Sequence, residues 1–179
     1  KDEVEAYKLI VRAAELGEAS AMFAAGSMYE SGHGVERNRA EAIRWYRRAA
    51  EQGHAPALTA LAALVEFGTG ATKDLDEAVR LYRQAAEAGD PQGMVSLGYL
   101  MEQGKGVPQD LAAAAELYRK AAAAGEPRAK FNLAKMLREG RGVEARDQSD
   151  HRQGPDPRAR RAVAHRVARD HRVPRRDVS

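Results

Sequence analysis

Apolar residues recur at helical spacing along most of this chain. Around residue 80 they are Ala78, Leu81, Tyr82, Ala85 and Ala86, which share one face of an α-helix because they lie three and four residues apart. The face returns thirty-six residues earlier and later, and again near the start, as Ala42, Trp45, Tyr46, Ala49 and Ala50, as Ala114, Leu117, Tyr118, Ala121 and Ala122, and as Ala6, Leu9, Ile10, Ala13 and Ala14. The pattern predicts one amphipathic helix in every thirty-six residues.

A second, more apolar helical pattern lies before each of these faces except the first. Its members occupy equivalent positions in three copies: Met22, Ala25, Gly26 and Tyr29, then Leu58, Leu61, Ala62 and Val65, then Met94, Leu97, Gly98 and Met101. The chain therefore predicts pairs of helices, with the more apolar helix first in each pair.

Residues that favour helix ends lie where the two patterns stop. Asn38, Asp74 and Asp110 precede the second helices, where a side-chain oxygen would cap free backbone N–H groups. Glycine follows each second helix at Gly17, Gly53, Gly89 and Gly125, and Gly-x-Gly follows each first helix from Gly32, Gly68, Gly104 and Gly140. These glycines predict left-handed turns after both helices.

A period of this length predicts an all-α solenoid of stacked antiparallel helix pairs, in which each pair covers the apolar side of the next. We expect residues 1–143 to form the solenoid and residues 144–179 to form an atypical tail. The expected divisions are a partial repeat 1–18, repeats 19–54, 55–90 and 91–126, and an incomplete repeat 127–143. Because Lys1 already lies inside a repeat, we expect the native chain to begin upstream.

The repeating phrases resemble the Sel1-like repeat, a relative of the tetratricopeptide repeat. The resemblance is carried by AMFAAGSMYESGHGVERNRAEAIRWYRRAAEQG at 21–53 and by GMVSLGYLMEQGKGVPQDLAAAAELYRKAAAAG at 93–125. The copy at 57–89 departs at Ala62, where the pattern has glycine, and at Ala71, where it has valine. This resemblance implies a right-handed superhelix that serves as a non-enzymatic scaffold for a partner protein or peptide.

By analogy with tetratricopeptide relatives, the first helices would line a concave binding face. The positions on that face differ in chemistry between repeats, as a partner-specific surface would require. They are Phe23, Ser27, Glu30, Thr59, Ala63, Glu66, Val95, Tyr99, Glu102, Phe131 and Lys135.

Two alternatives remain for members of this set. Phe23 and Phe131 would also fit a role in packing against an adjacent helix. Glu30, Glu66 and Glu102 lie near helix C-termini, where the helix dipole disfavours negative charge, so their recurrence indicates a use. An ion pair inside the repeat is the favoured use, and an acidic strip that attracts a basic peptide is the alternative.

Charge separates the tail from the repeats. Residues 1–143 carry 19 Lys and Arg against 20 Asp and Glu, whereas residues 144–179 carry ten Arg and no Lys against six Asp and Glu. Three interpretations of the tail compete: a disordered basic arm that binds nucleic acid or an acidic surface, a capping helix over 156–171, and translation in a shifted frame. The shifted frame is the favoured interpretation of the tail. Binding of nucleic acid through the Arg-rich tail is kept as the alternative to the scaffold function.

No catalytic or metal-binding set emerges from the sequence. The chain has no cysteine, which excludes a thiolate zinc site and separates it from the cysteine-rich members of the resembled family that have been linked to β-lactam hydrolysis. His33 and His54 lack partners at ligand spacing. No apolar run reaches the roughly 18 residues that a membrane span needs. We therefore expect no enzymatic activity, no cofactor and no metal.

Overall fold

The computed structural model describes residues 2–142, and all regular structure in this part is helical. The described residues belong to one compact unit, and the Arg-rich tail with its three interpretations lies outside them. The helices are α1 (Asp2–Glu15), α2 (Ala19–Ser31), α3 (Arg39–Glu51), α4 (Ala55–Phe67), α5 (Leu75–Glu87), α6 (Pro91–Gln103), α7 (Leu111–Ala123) and α8 (Pro127–Arg138). The predicted all-α fold with a thirty-six-residue step is confirmed.

Side-chain caps begin the second helices where the sequence predicts them. Oδ1 of Asp74 and Oδ1 of Asp110 each accept a hydrogen bond of 2.9 Å from the backbone N–H three residues later. Asn38 does the same at 3.2 Å. Each cap satisfies a backbone donor that has no partner within its helix, which fixes the residue at which the helix starts.

Left-handed glycines end the helices, as predicted. Gly104 closes α6 with φ of 66°, and its N–H returns to the carbonyl of Leu100. The second glycine of the same turn, Gly106, has φ of 67° and lies against the preceding pair, where an added Cβ would be 2.8 Å from Cγ of Leu75. A larger residue at position 106 would both strain the backbone and push the turn away from α5.

The helices pack in chain order. The most extensive contacts join α2 to α3, α4 to α5 and α6 to α7, and α4 also contacts α6 directly. Tyr46, Tyr82 and Tyr118 are buried at equivalent positions, whereas Trp45, Leu81 and Leu117 are partly buried against the core. Each second helix of a complete pair therefore packs between the first helix of its own pair and the first helix of the next pair, and α4 and α6 lie side by side.

None of the helices within residues 2–142 combines the length and hydrophobicity that crossing a bilayer requires.

Candidate functional site

A groove of about 680 Å³ lies along the first helices α4, α6 and α8. Its lining comes from the exposed turns of these three helices and from one tyrosine of α5. The lining residues are Thr59, Ala63, Glu66, Phe67, Tyr82, Gln92, Val95, Ser96, Tyr99, Pro127, Arg128, Phe131 and Asn132.

Three aromatic side chains give the groove its apolar character. Phe67 and Phe131 are each 71% exposed, and Tyr99 is 43% exposed. Val95 is buried beside them, and Ala63 contributes only a methyl group, so space is left between the aromatic rings and the helices. Large aromatic side chains exposed around a concavity are typical of surfaces that bind other molecules.

Thr59 and Asp90 fix the relative placement of α4 and α6 at the groove. The hydroxyl of Thr59 donates to Oδ2 of Asp90 at 2.7 Å, and the same oxygen accepts from the N–H of Gly93 at 2.7 Å. Gly93 of α6 is buried close to α4 and α5: an added Cβ would be 2.8 Å from Oγ1 of Thr59 and 2.7 Å from Cβ of Ala85. The missing side chain at position 93 allows this close approach.

Charged groups of both signs line the groove. The hydroxyl of Tyr82 donates to Oε2 of Glu66 at 2.9 Å. Burial raises the pKa of Tyr82 above its usual range, and the negative charge of Glu66 adds to that increase. Arg128 also lines the groove, and its positive charge acts on the pKa of Tyr82 in the opposite direction.

The structure brings together six of the eleven residues predicted for the binding face. They are Thr59, Ala63, Glu66, Val95, Tyr99 and Phe131, all of which line the groove. Phe131 is exposed, which removes the alternative that it packs into an adjacent helix.

The predicted residues of α2 lie outside the groove. Phe23 packs against the rings of Tyr46 and His54, with centroid distances of 5.6 and 5.2 Å, as the packing alternative expected. Ser27 is exposed on the same helix. Glu30 accepts a hydrogen bond of 2.8 Å from the hydroxyl of Tyr46.

The remaining two predicted residues, Glu102 and Lys135, interact with each other. Glu102 is only 3% exposed, so its carboxylate is withdrawn from the surface on which the sequence placed it. Oε2 of Glu102 accepts from the hydroxyl of Tyr118 at 3.1 Å, and Oε1 lies 3.0 Å from Nη1 of Arg141 and 3.6 Å from Nζ of Lys135. Glu102 can be buried because both oxygens of its carboxylate have partners inside the protein.

The recurring glutamates share a partner that sequence reasoning missed. Glu30, Glu66 and Glu102 each accept a hydrogen bond from the tyrosine sixteen residues later. Within residues 2–142 an ion pair accompanies this bond only at Glu102, and its cations come from the following repeat. The expected ion pair inside the repeat is therefore wrong, and the buried Tyr hydroxyl is the common partner.

Five lining residues of the first helices, besides Pro127, were also missed: Phe67, Gln92, Ser96, Arg128 and Asn132. A signal for them exists in the sequence, because each replaces a residue of different character at the equivalent position of another repeat. Phe67, for example, stands where the neighbouring repeats have Ser31 and Gln103. Asn132 lies one helical turn after Arg128, so both reach the same side of α8.

Within residues 2–142 the structure holds no cluster of three or more His, Cys, Asp or Glu side chains that would suit a metal ion. His54 serves as the cap of α4, since its Nδ1 accepts from the N–H of Ala57 at 3.3 Å.

The Sel1 repeat family model matches the chain at residues 1–18, 19–54, 55–90, 91–126 and 127–150. The chain belongs to the Sel1 repeat family. Proteins of this family are generally protein-interaction scaffolds and are typically not catalytic. A comparison with curated proteins found no match.

Solved Sel1 repeat structures share the fold. A Sel1 repeat protein from Oxalobacter formigenes is 38% identical over 78% of this chain, with a TM-score of 0.73. The antigen c5321, a protective antigen of uropathogenic Escherichia coli strains, is 34% identical over 76% of the chain, also with a TM-score of 0.73. The chain spans 56% of the first protein and 29% of the second.

Helicobacter pylori cysteine-rich protein B is similar over 74% of this chain and 96% of its own length, with 27% identity and a TM-score of 0.60. The present chain lacks the cysteines for which that protein is named. The shared architecture confirms the α-solenoid of Sel1 repeats.

Proposed function

We propose that this Sel1 repeat chain is a non-enzymatic scaffold that binds a segment of a partner protein in the groove along α4, α6 and α8. The observation that carries the proposal is the exposure of Phe67, Tyr99 and Phe131 around one cavity. These side chains lie at positions that vary between repeats, whereas the recurring tyrosines and alanines of the second helices are buried in the core.

The dimensions and chemistry of the groove suit a peptide segment. A cavity of about 680 Å³ falls within the range of protein sites that enclose several side chains or a small ligand. Aromatic rings supply apolar contact area at a small cost in conformational entropy, and Asn132, Gln92 and Ser96 supply donors and acceptors for a peptide backbone.

Selection of displayed peptides on the immobilised full chain tests this proposal. Enriched peptides are then titrated against the unmodified chain and against Phe131→Ala and Tyr99→Ala. Each truncation is expected to weaken binding by about fivefold to thirtyfold, because aromatic anchors in a concave site commonly contribute 1 to 2 kcal/mol or more.

Leu137→Ala is the matched control. Leu137 is a large apolar residue of the same helix, is 55% exposed and does not line the groove. Its truncation should leave peptide affinity unchanged. Equal losses for Leu137→Ala and Phe131→Ala would place binding elsewhere and contradict the proposal.

A further inference from the structure

The groove contains a carboxylate whose second oxygen has no partner in the part of the chain that the structure describes. Oε2 of Glu66 accepts from Tyr82, while no donor from residues 2–142 reaches Oε1. Every buried side-chain oxygen among these residues has a hydrogen-bond partner, so Oε1 of Glu66 is accessible to solvent, and Glu66 lines the groove. Glu66 is nevertheless only partly exposed, and its charge is held beside the apolar rings.

The next repeat shows which kind of group completes such a carboxylate. At Glu102, the equivalent of Glu66, the Tyr hydroxyl again takes Oε2, and cations of the chain itself take Oε1. Those cations are Lys135 of α8 and Arg141 of the turn that follows it. Glu102 therefore shows that a glutamate bound by a tyrosine hydroxyl through one oxygen can form an ion pair through its other oxygen.

Neither residue at the two equivalent places pairs with Glu66. Thirty-six residues before Lys135 and Arg141 lie Tyr99 and Lys105. Tyr99 is neutral and lines the groove, and the ammonium group of Lys105 lies 5.4 Å from the centroid of the Tyr99 ring instead of pairing with Glu66. The repeat thus keeps the carboxylate and its tyrosine, has an aromatic residue in place of Lys135, and holds its remaining cation at the Tyr99 ring instead of at Glu66.

We propose that a lysine or arginine side chain of the partner segment occupies this place, with its charged end on Oε1 of Glu66. The inference rests on the proposed function of the groove. Aromatic residues suit such a side chain, because its hydrocarbon stem packs on rings and its charge is attracted to their faces. Partial burial strengthens the ion pair relative to one on an open surface.

Arg128 is the charged group that opposes this arrangement. It lines the groove, and within residues 2–142 no carboxylate lies within ion-pair distance of its guanidinium group. A cationic ligand would be repelled by Arg128 and attracted by Glu66, whereas an anionic ligand would show the reverse. Neutralising the two residues separately therefore identifies the sign of the ligand charge.

Three peptide pools test the proposal on the full chain. The pools share randomised flanking positions and carry lysine, norleucine or glutamate at the centre. Fluorescence anisotropy measures the binding of each pool to the unmodified chain, Glu66→Gln and Arg128→Gln. Glutamine at position 66 can still accept a hydrogen bond from Tyr82, so the variant removes the negative charge and keeps the hydrogen bond between α4 and α5.

The lysine pool is expected to bind about fivefold more tightly than the norleucine pool, with the difference reduced at high salt. Glu66→Gln should abolish this preference, and Arg128→Gln should increase it. Glu30→Gln is the matched control, because Glu30 accepts the same Tyr hydrogen bond but lies outside the groove. It should leave the preference intact.

The outcomes separate this inference from the proposed function. Preference for the glutamate pool, or a lysine preference that survives Glu66→Gln, overturns the inference. If the aromatic truncations abolish binding while charge has no effect, the groove remains the binding site and only the cation subsite is lost. If neither aromatic truncations nor charge changes alter binding, both proposals fail.

Discussion

The hydroxyl of Tyr118 donates a hydrogen bond of 3.1 Å to Oε2 of Glu102, across the turn that joins α6 to α7. The same relationship joins Tyr82 to Glu66 and Tyr46 to Glu30 at 2.9 and 2.8 Å. Each tyrosine ring lies in the core while its hydroxyl reaches a carboxylate near the end of the preceding helix. This bond ties the two helices of every complete pair together.

Replacing Tyr118 by Phe should lower the free energy of unfolding by about 2 kcal/mol. The change leaves the ring in place and removes one hydrogen bond to a buried, charged acceptor. Urea denaturation of the full chain measures the effect. Tyr99→Phe is the control, because Tyr99 is 43% exposed, and it should change stability by less than about 0.5 kcal/mol.

Alkaline pH should destabilise the protein. Burial, the negative charge of the glutamate and the hydrogen bond to it raise the pKa of Tyr82 and of Tyr118 above the usual range for tyrosine, and burial and Glu30 do the same for Tyr46. The folded chain therefore keeps protons that the unfolded chain releases above pH of about 10. The stabilisation is complete below that pH and is lost as pH rises further, by about 1.4 kcal/mol per tyrosine and pH unit.

Unfolding free energies at pH 9, 10 and 11 check the sign and size of this effect. Tyr82→Phe should remove about one third of the three-tyrosine contribution to the slope above pH 10. Lysine deprotonation is common to both proteins and cancels in the comparison. An unchanged slope would mean that Tyr82 titrates alike in the folded and unfolded chains.

Replacing Gly93 by Ala should destabilise the protein, because overpacking at this site should cost about 1 to 3 kcal/mol. The added methyl group would meet Cβ of Ala85 at 2.7 Å, and Ala85 has no rotamer with which to move away. This cost should exceed the gain of about 1 kcal/mol that alanine normally brings to a helix.

The equivalent position one repeat earlier supplies the control. Ala57 is buried there, and its surroundings already accommodate a methyl group. Ala57→Gly should therefore also destabilise the protein, by about 1 kcal/mol. Thermal or urea unfolding of both variants distinguishes local packing from helix propensity. A more stable Gly93→Ala variant would contradict the packing described for α4, α5 and α6.

Leu97→Ala should cost about 2 to 5 kcal/mol, because Leu97 is buried in the core and its truncation leaves a cavity. Gln103→Ala, on the exposed last residue of the same helix, should cost little. Similar losses at the two positions, measured by urea denaturation, would mean that the buried face of α6 is misassigned.

The fold was accessible from the sequence because its determinants are local and repeated. The caps at Asn38, Asp74 and Asp110 act on backbone groups three residues away, and the left-handed glycines act within their own turns. A helical face is a matter of spacing alone. When such signals recur every thirty-six residues, each copy supports the interpretation of the others, and the pairing of neighbours follows from their order.

The groove needed the tertiary structure. The sequence gives Glu66 and Glu102 the same position in their repeats, yet one lies in the groove and the other is buried beneath Lys135 and Arg141. The two cations that cause this difference lie more than thirty residues after Glu102 in the sequence. Likewise, nothing local marks Phe67 and Arg128 as members of one surface.

Sequence alone therefore determined the repeat length, the helix ends, the faces of the helices and the family. Tertiary structure decided which variable residues share a cavity, which carboxylate is satisfied inside the protein and which tyrosine hydroxyl it meets. The physical reason is distance along the chain: helix formation depends on neighbours within one or two turns, whereas burial and pairing depend on side chains from other helices, in the same repeat or in the next one.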